Sequence, residues 1–422
     1  MKRMKRILKA SMLLCVVFFL LACSLTRTLS GESEADNPAT EDFATQPIEP
    51  EIAQPAPTAE PVQIPSVHRI VYEKAGNIWA VDPDTSEFMQ ITFDGSADNA
   101  DMGSVRYFRP LVSPDGAYVA FSTATKFHIY SLASMEMDEI EKASSPDILA
   151  DVILDWDADN LLYYTRTNGG CDLSASPIRG PDSVDVMRYD PVTKISEKVA
   201  ELPKIDDAPF AYSIGKTITP AGRFITAYNA VCSAGYGSTF LYDVQTRTYV
   251  RNDYPDAVLS NDDSTLAYID ASNLEMAGST IIVGMDRESQ NRETLYTPLM
   301  SGFVMMDVAW SPDDAYLAFT EADVLDPDQI WGMGEYFNPD ALGDPYLVLA
   351  ANDQSGQQPE THFIPESRHI FGSWSPDGRA VVYVQWDEGG DRYGAGSLMV
   401  YDLDTRAAAV LDHGDKVRNP DW

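Results

Sequence analysis

Basic side chains, cysteine and histidine are scarce in this chain of 422 residues. Lys and Arg number 30 against 65 Asp and Glu, for a formal net charge of −35. A surface so acidic repels phosphate backbones, which argues against nucleic acid as a partner. There are four cysteines and five histidines. His68, His128, His362, His369 and His413 form no His-x-x-x-His or Cys/His ligand set. An Asp-x-Asp-x-Asp-Gly calcium loop is also missing. No cofactor or metal is therefore expected. No Gly-x-Ser-x-Gly elbow marks a serine hydrolase. Helical periodicity of any length is absent, which disfavours an α/β fold. No apolar run reaches the roughly 20 residues of a transmembrane helix.

The longest apolar run is Met12 to Ala22, and it follows a basic head of Lys2, Arg3, Lys5, Arg6 and Lys9. This is the pattern of a targeting segment. It ends in Leu20-Leu21-Ala22-Cys23, which resembles the bacterial lipobox. The resemblance implies cleavage before Cys23, diacylglycerol on its sulfur and a lipid-anchored protein on the extracytoplasmic face of a cell or outer membrane. Two acyl chains hold stably where one is marginal. Residues 1–22 are thus read as signal peptide. Residues 23–63 are read as lipidated Cys23 and a tether, rich in Pro, Glu, Ala, Ser and Thr and too poor in apolar groups to fold.

Residues 64–422 carry a repeat. Ser113-Pro114-Asp115-Gly116 precedes Tyr118-Val119-Ala120-Phe121. Trp310-Ser311-Pro312-Asp313-Asp314 precedes Tyr316-Leu317-Ala318-Phe319. Trp374-Ser375-Pro376-Asp377-Gly378 precedes Val381-Val382-Tyr383-Val384. Weaker copies stand at Trp156 to Asn160, Ile218 to Gly222 and Leu259 to Asp263. Each reads as a strand, a tight turn and a second strand, because Pro presets φ, Asp caps locally and Gly accepts positive φ. A second turn of the form Asp-x-x-Thr follows at Asp82, Asp190, Asp243 and Asp402. Four antiparallel strands per repeat make a propeller blade. The first repeat lacks its leading strand, and Val417 to Trp422 supplies one. The expectation is an all-β, seven-bladed β-propeller, with six or eight blades as alternatives. Its first blade is closed by the C-terminal strand, which removes an open edge.

The Ser-Pro-Asp-Gly repeats resemble the TolB-type propellers, cousins of WD-repeat proteins. TolB itself is six-bladed with an extra α/β domain, and neither feature matches here. The resemblance implies the fold. It leaves function open, since such propellers serve as scaffolds, sensors and enzyme domains. Similar propellers precede the hydrolase domain of prolyl oligopeptidases, but the elbow that domain needs is missing. His128 and His362 lie within strand patterns and read as packing residues.

Cys171 and Cys232 occupy equivalent positions in neighbouring repeats of an exported chain, which points to a disulfide. Two free thiols are the alternative. The connections between second and third strands are long and share one face, as binding loops do. Trp331, Tyr336 and Phe337 stand among acids in one of them, and Trp386, Asp387 and Tyr393 in another. Aromatic plus carboxylate suits sugars, basic peptides or cations. The leading expectation is a monomeric head that binds a protein or glycan ligand in the cell envelope through this face, without catalysis. The rival is a metal-dependent carbohydrate-active or lyase-type enzyme with its site at the central channel.

Overall fold

In the computed structural model, the residues described are 69–96, 105–143, 151–169, 181–203, 212–230, 236–252, 257–272, 279–325, 342–352, 359–364, 368–387 and 394–422. They form strands and turns, with no helix among them. Seven four-stranded antiparallel sheets are arranged in a ring, giving a seven-bladed β-propeller.

Blade one joins β1 (Ile70–Lys74), β2 (Asn77–Val81) and β3 (Phe88–Gln90) to β28 (Arg418–Asp421), which pairs antiparallel with β1 as the innermost strand. Blade two runs through β4 (Phe108–Val112), β5 (Tyr118–Ser122), β6 (Lys126–Ser131) and β7 (Met137–Glu141). Blade three begins with β8 (Ile153–Trp156), and blades four, five, six and seven begin with β12 (Tyr212–Ile218), β16 (Val258–Leu259), β20 (Phe303–Trp310) and β24 (His369–Trp374). The ring therefore closes as the repeat count predicted.

The local chemistry of the turns explains the repeat. In blade two, Ser113 Oγ donates to Asp115 Oδ1 at 2.6 Å and accepts the Tyr118 N–H at 2.9 Å. The Gly116 N–H donates to Ser113 O at 2.7 Å, with Gly116 at φ 68°. Ser311 and Asp313, and Ser375 and Asp377, reproduce the serine–aspartate bond at 2.7 Å. The left-handed place is taken by Asn160, Gly222, Asp263, Asp314 and Gly378 in the other blades. Glycine and short polar residues tolerate that conformation, which is why the repeat alternates Gly, Asn and Asp there. In the second turn, Asp82 Oδ1 accepts the N–H groups of Asp84 and Thr85 at 2.9 and 3.0 Å. Asp286 does the same for Glu288 and Ser289, a copy that the Asp-x-x-Thr pattern missed because Ser289 replaces Thr.

Buried apolar layers lie between successive blades. Ile70, Tyr72, Val382, Leu398 and Trp422 share one layer, which joins blade one to blade seven. Trp156, Trp310 and Trp374 each end an innermost strand and send the indole N–H to a carbonyl of the preceding blade, at 3.3 to 3.5 Å. Trp422 stands at the equivalent place, 5% exposed. There it is the backbone N–H that reaches the preceding blade, donating to Ser373 Oγ at 2.8 Å.

Candidate functional site

On the strand 2–3 face, the connections of blades one and two are short. Blade one turns in two residues, Ala75 and Gly76, both with positive φ. Blade two turns through Thr123 to Thr125. Beside the blade-two turn a cavity of about 370 Å³ is lined by Arg106, Tyr107, Lys126, His128 and Glu139, among others.

His128 sits on β6 and is 5% exposed. Its ring stacks on Phe121 at 5.2 Å and meets Tyr107 edge-on at 5.7 Å. Burial pushes its pKa below the ordinary histidine value. The neutral imidazole has one donor and one acceptor nitrogen. Nε2 faces Thr123 Oγ1 at 3.4 Å, whereas Nδ1 is buried without a hydrogen-bond partner, 3.7 Å from a Glu139 oxygen. A buried, unpaired polar atom is unfavourable unless something else supplies its partner. The carboxylate of Glu139 is held below its usual range by its bond to Lys126, which also pairs with Glu141 at 3.2 Å. Tyr107 donates its hydroxyl to Asp94 at 2.8 Å. His128 is thus the packing residue its strand pattern suggested, and it lines the cavity as well.

Arg106 links the cavity lining to a buried acid. One of its guanidinium nitrogens lies 3.8 Å from Glu73, a residue 2% exposed. Glu73 Oε1 also accepts the Arg109 backbone N–H at 2.8 Å and a hydrogen from the Asn419 side chain. Arg109 and Asn419 sit at irregularities of the innermost strands β4 and β28, both left-handed (φ 54° and 44°) and exposed. Asp307, on β20, is a third such residue. Bulges re-aim side chains, and non-glycine residues held at positive φ gather at functional sites. The innermost strands line the channel of a propeller, and all three residues are exposed on such strands.

Further along the channel wall stand Asp155 and Asp421. Both are partly reachable by water but enclosed by protein atoms. Burial pushes Asp155 up to about 6 and Asp421 up to about 7, and the mutual repulsion of the two adds to the rise at Asp421. The Arg109 charge acts on Asp155 in the opposite direction. Nothing in the sequence marked this group. Each member follows from the pairing of strands distant in the chain.

Of the residues expected on the binding face, Trp386 closes the strand Ala380–Trp386 and is 7% exposed, so it sits within the packing rather than on the surface. Asp387 is half-buried, with both oxygens 3.2 Å from His413 Nε2. Trp331, Tyr336, Phe337 and Tyr393 lie outside the described residues, as do Cys23, Cys171 and Cys232. Among the described residues, no three His, Cys, Asp or Glu side chains gather as metal ligands.

No family model and no curated protein sequence matches the chain. Solved structures do. The chain is similar to a prolyl endopeptidase at 11% identity and a TM-score of 0.53, over 84% of this chain and 50% of that one. It spans about half the length of that enzyme. It is similar to an oligogalacturonate lyase solved in complex with manganese, at 13% identity and a TM-score of 0.51, over 80% of this chain and 82% of the lyase. TolB from Acinetobacter baumannii aligns over 83% of this chain and 81% of its own at 14% identity, with a TM-score of 0.41. At such identities the first two likenesses attest the fold alone.

Proposed function

We propose that this protein is a lipid-anchored, extracytoplasmic binding propeller, of the TolB-like kind its repeats resemble, that engages a ligand through the face of the strand 2–3 connections. The observation that carries this reading is the cavity beside Thr123 to Thr125, lined by Arg106, Tyr107, Lys126, His128 and Glu139. Tyr107 offers a ring for contact, and the charged groups of Arg106, Lys126 and Glu139 offer polar partners at its edge. The same face exposes large apolar side chains in its connections, including Phe93, Leu299, Met300 and Leu325. Exposed apolar side chains in the connections of one face suit a protein partner. The test is capture of envelope components by the full-length chain beside a Tyr107→Ala, His128→Ala double variant. Equal capture by the two, with unchanged melting, would remove the cavity from the binding face.

A second reading, an enzyme working at the channel, is favoured by Asp155 and Asp421, whose raised pKa values suit proton transfer near neutral pH. Its metal-dependent form is tested by elemental analysis of the purified protein. A stoichiometric, tightly bound transition metal would move the assignment to it.

A further inference from the structure

Arg109 has no charge partner among the described residues, in a chain where acids outnumber bases by more than two to one. Several other cations of blades one and two are paired. Arg106 faces Glu73, Lys126 pairs with Glu139 and Glu141, and Lys74 pairs with Asp412. The backbone N–H of Arg109 is held by buried Glu73, but its exposed guanidinium has neither hydrogen bond nor ion pair. Asp155 and Lys142 act on it only through space.

The backbone is arranged to place this side chain. A left-handed φ is unfavourable for arginine, whose Cβ crowds the backbone there. Here it coincides with a register shift between Phe108 and Leu111 and with the Glu73 bond. Glu73 holds the facing Asn419 of blade one with the same oxygen. One buried carboxylate thus fixes two innermost strands at the channel and aims an unpaired cation into it. An arginine fork matches a carboxylate through two parallel hydrogen bonds. The strongly negative field of the whole chain disfavours polyanions, so the anion that fits carries a single charge.

We infer that Arg109 receives one carboxylate group of a ligand entering the channel from the strand 2–3 face. This rests on the ligand-binding reading above and names the chemistry of its anchor. Lys142, whose ammonium lies over the Phe108 ring, is the second positive charge coupled to this site.

The experiment is calorimetric titration of the full-length chain, purified in mild detergent, with N-acetyl-trialanine as free acid and as C-terminal amide. Acetate and inorganic phosphate are run alongside. The free acid should bind at least tenfold more tightly than the amide. Arg109→Gln should abolish that preference while leaving the melting temperature unchanged, and Arg109→Lys should keep part of it. Acetate competing as well as the peptide identifies a small monocarboxylate as the source, and a peptide-only response identifies a chain end. Equal binding of acid and amide, tighter binding of phosphate, an unchanged preference in Arg109→Gln, or no binding of any carboxylate at millimolar concentration would each overturn the inference. Loss of envelope capture in the Tyr107, His128 variant, together with any of those results, would leave the binding face standing without a carboxylate anchor.

Discussion

The carboxylate of Asp421 accepts the backbone N–H of Val112 at 2.7 Å, although 309 positions separate them. That bond ties β28 of blade one to β4 of blade two. Ser373 of blade seven bonds the same carboxylate and accepts the Trp422 N–H. Three blades therefore meet at two residues, and these contacts hold the ring shut.

Closure can be tested by truncation. Removing Val417 to Trp422 strips β1 of its partner and opens the layer shared by Ile70, Tyr72 and Val382. Trp422→Ala alone should cost about 3–5 kcal/mol, the usual range for emptying a buried tryptophan site. The truncated protein should melt at lower temperature and aggregate through the freed edge. An unchanged melting temperature and solubility would mean that β28 does not carry closure.

Gly372 offers a second, independent probe of the same seam. A Cβ there would stand 2.5 Å from Pro420 Cγ and 2.6 Å from Pro420 O. Neither a proline ring nor a backbone carbonyl can swing aside, so Gly372→Ala should push β24 from β28. Thermal unfolding should show a loss of about 1–3 kcal/mol, the range for overpacking.

Stability should depend on pH through the channel acids. The folded values of Asp421 and Asp155, about 7 and about 6, lie above the ordinary aspartate value near 4. The folded state therefore holds these protons more tightly than the unfolded chain does. Their contribution is fully present below about pH 4 and is lost as pH rises through 6 and 7. Asp421→Asn keeps an oxygen for the Val112 N–H and removes the ionisation. It should raise stability at pH 8 by roughly 1–3 kcal/mol, allowing for water in the channel, and leave it unchanged near pH 4. Denaturant melts at the two pH values decide this, and an equal effect at both would refute it.

Met135 holds the left-handed place of its turn at φ 59° and is 69% exposed. Glycine removes the backbone strain there without emptying a core site. Met135→Gly should gain about 1 kcal/mol in chemical denaturation. No gain would show that the turn is not strained.

The segments outside the described residues carry two further expectations. Cys23→Ser should release the protein from membranes or block its maturation, read by fractionation. Non-reducing peptide mapping should recover Cys171 linked to Cys232, a crosslink of the kind worth roughly 2–4 kcal/mol. Recovery of both as free thiols would establish the alternative.

Blade number, turn positions and ring closure were legible in the sequence because each is set locally. Ser113, Pro114, Asp115 and Gly116 make their turn with bonds spanning a few residues, and six copies repeat the pattern. Even Trp422 could be placed by its likeness to Trp310 and Trp374. Legibility ended where long-range pairing begins. The sequence directed attention to the long connections around Trp331 and Trp386, most of which lie outside the described residues, and gave no sign of the cavity beside the short turn of Thr123 to Thr125. Trp386 itself is buried, because a strand's last residue can face a neighbouring blade as readily as solvent. Glu73, Arg109, Asn419, Asp155 and Asp421 carry no motif and come from three blades. Only the closed ring brings them together, since the bulges that aim them and the burial that shifts their protons exist nowhere along the chain taken by itself.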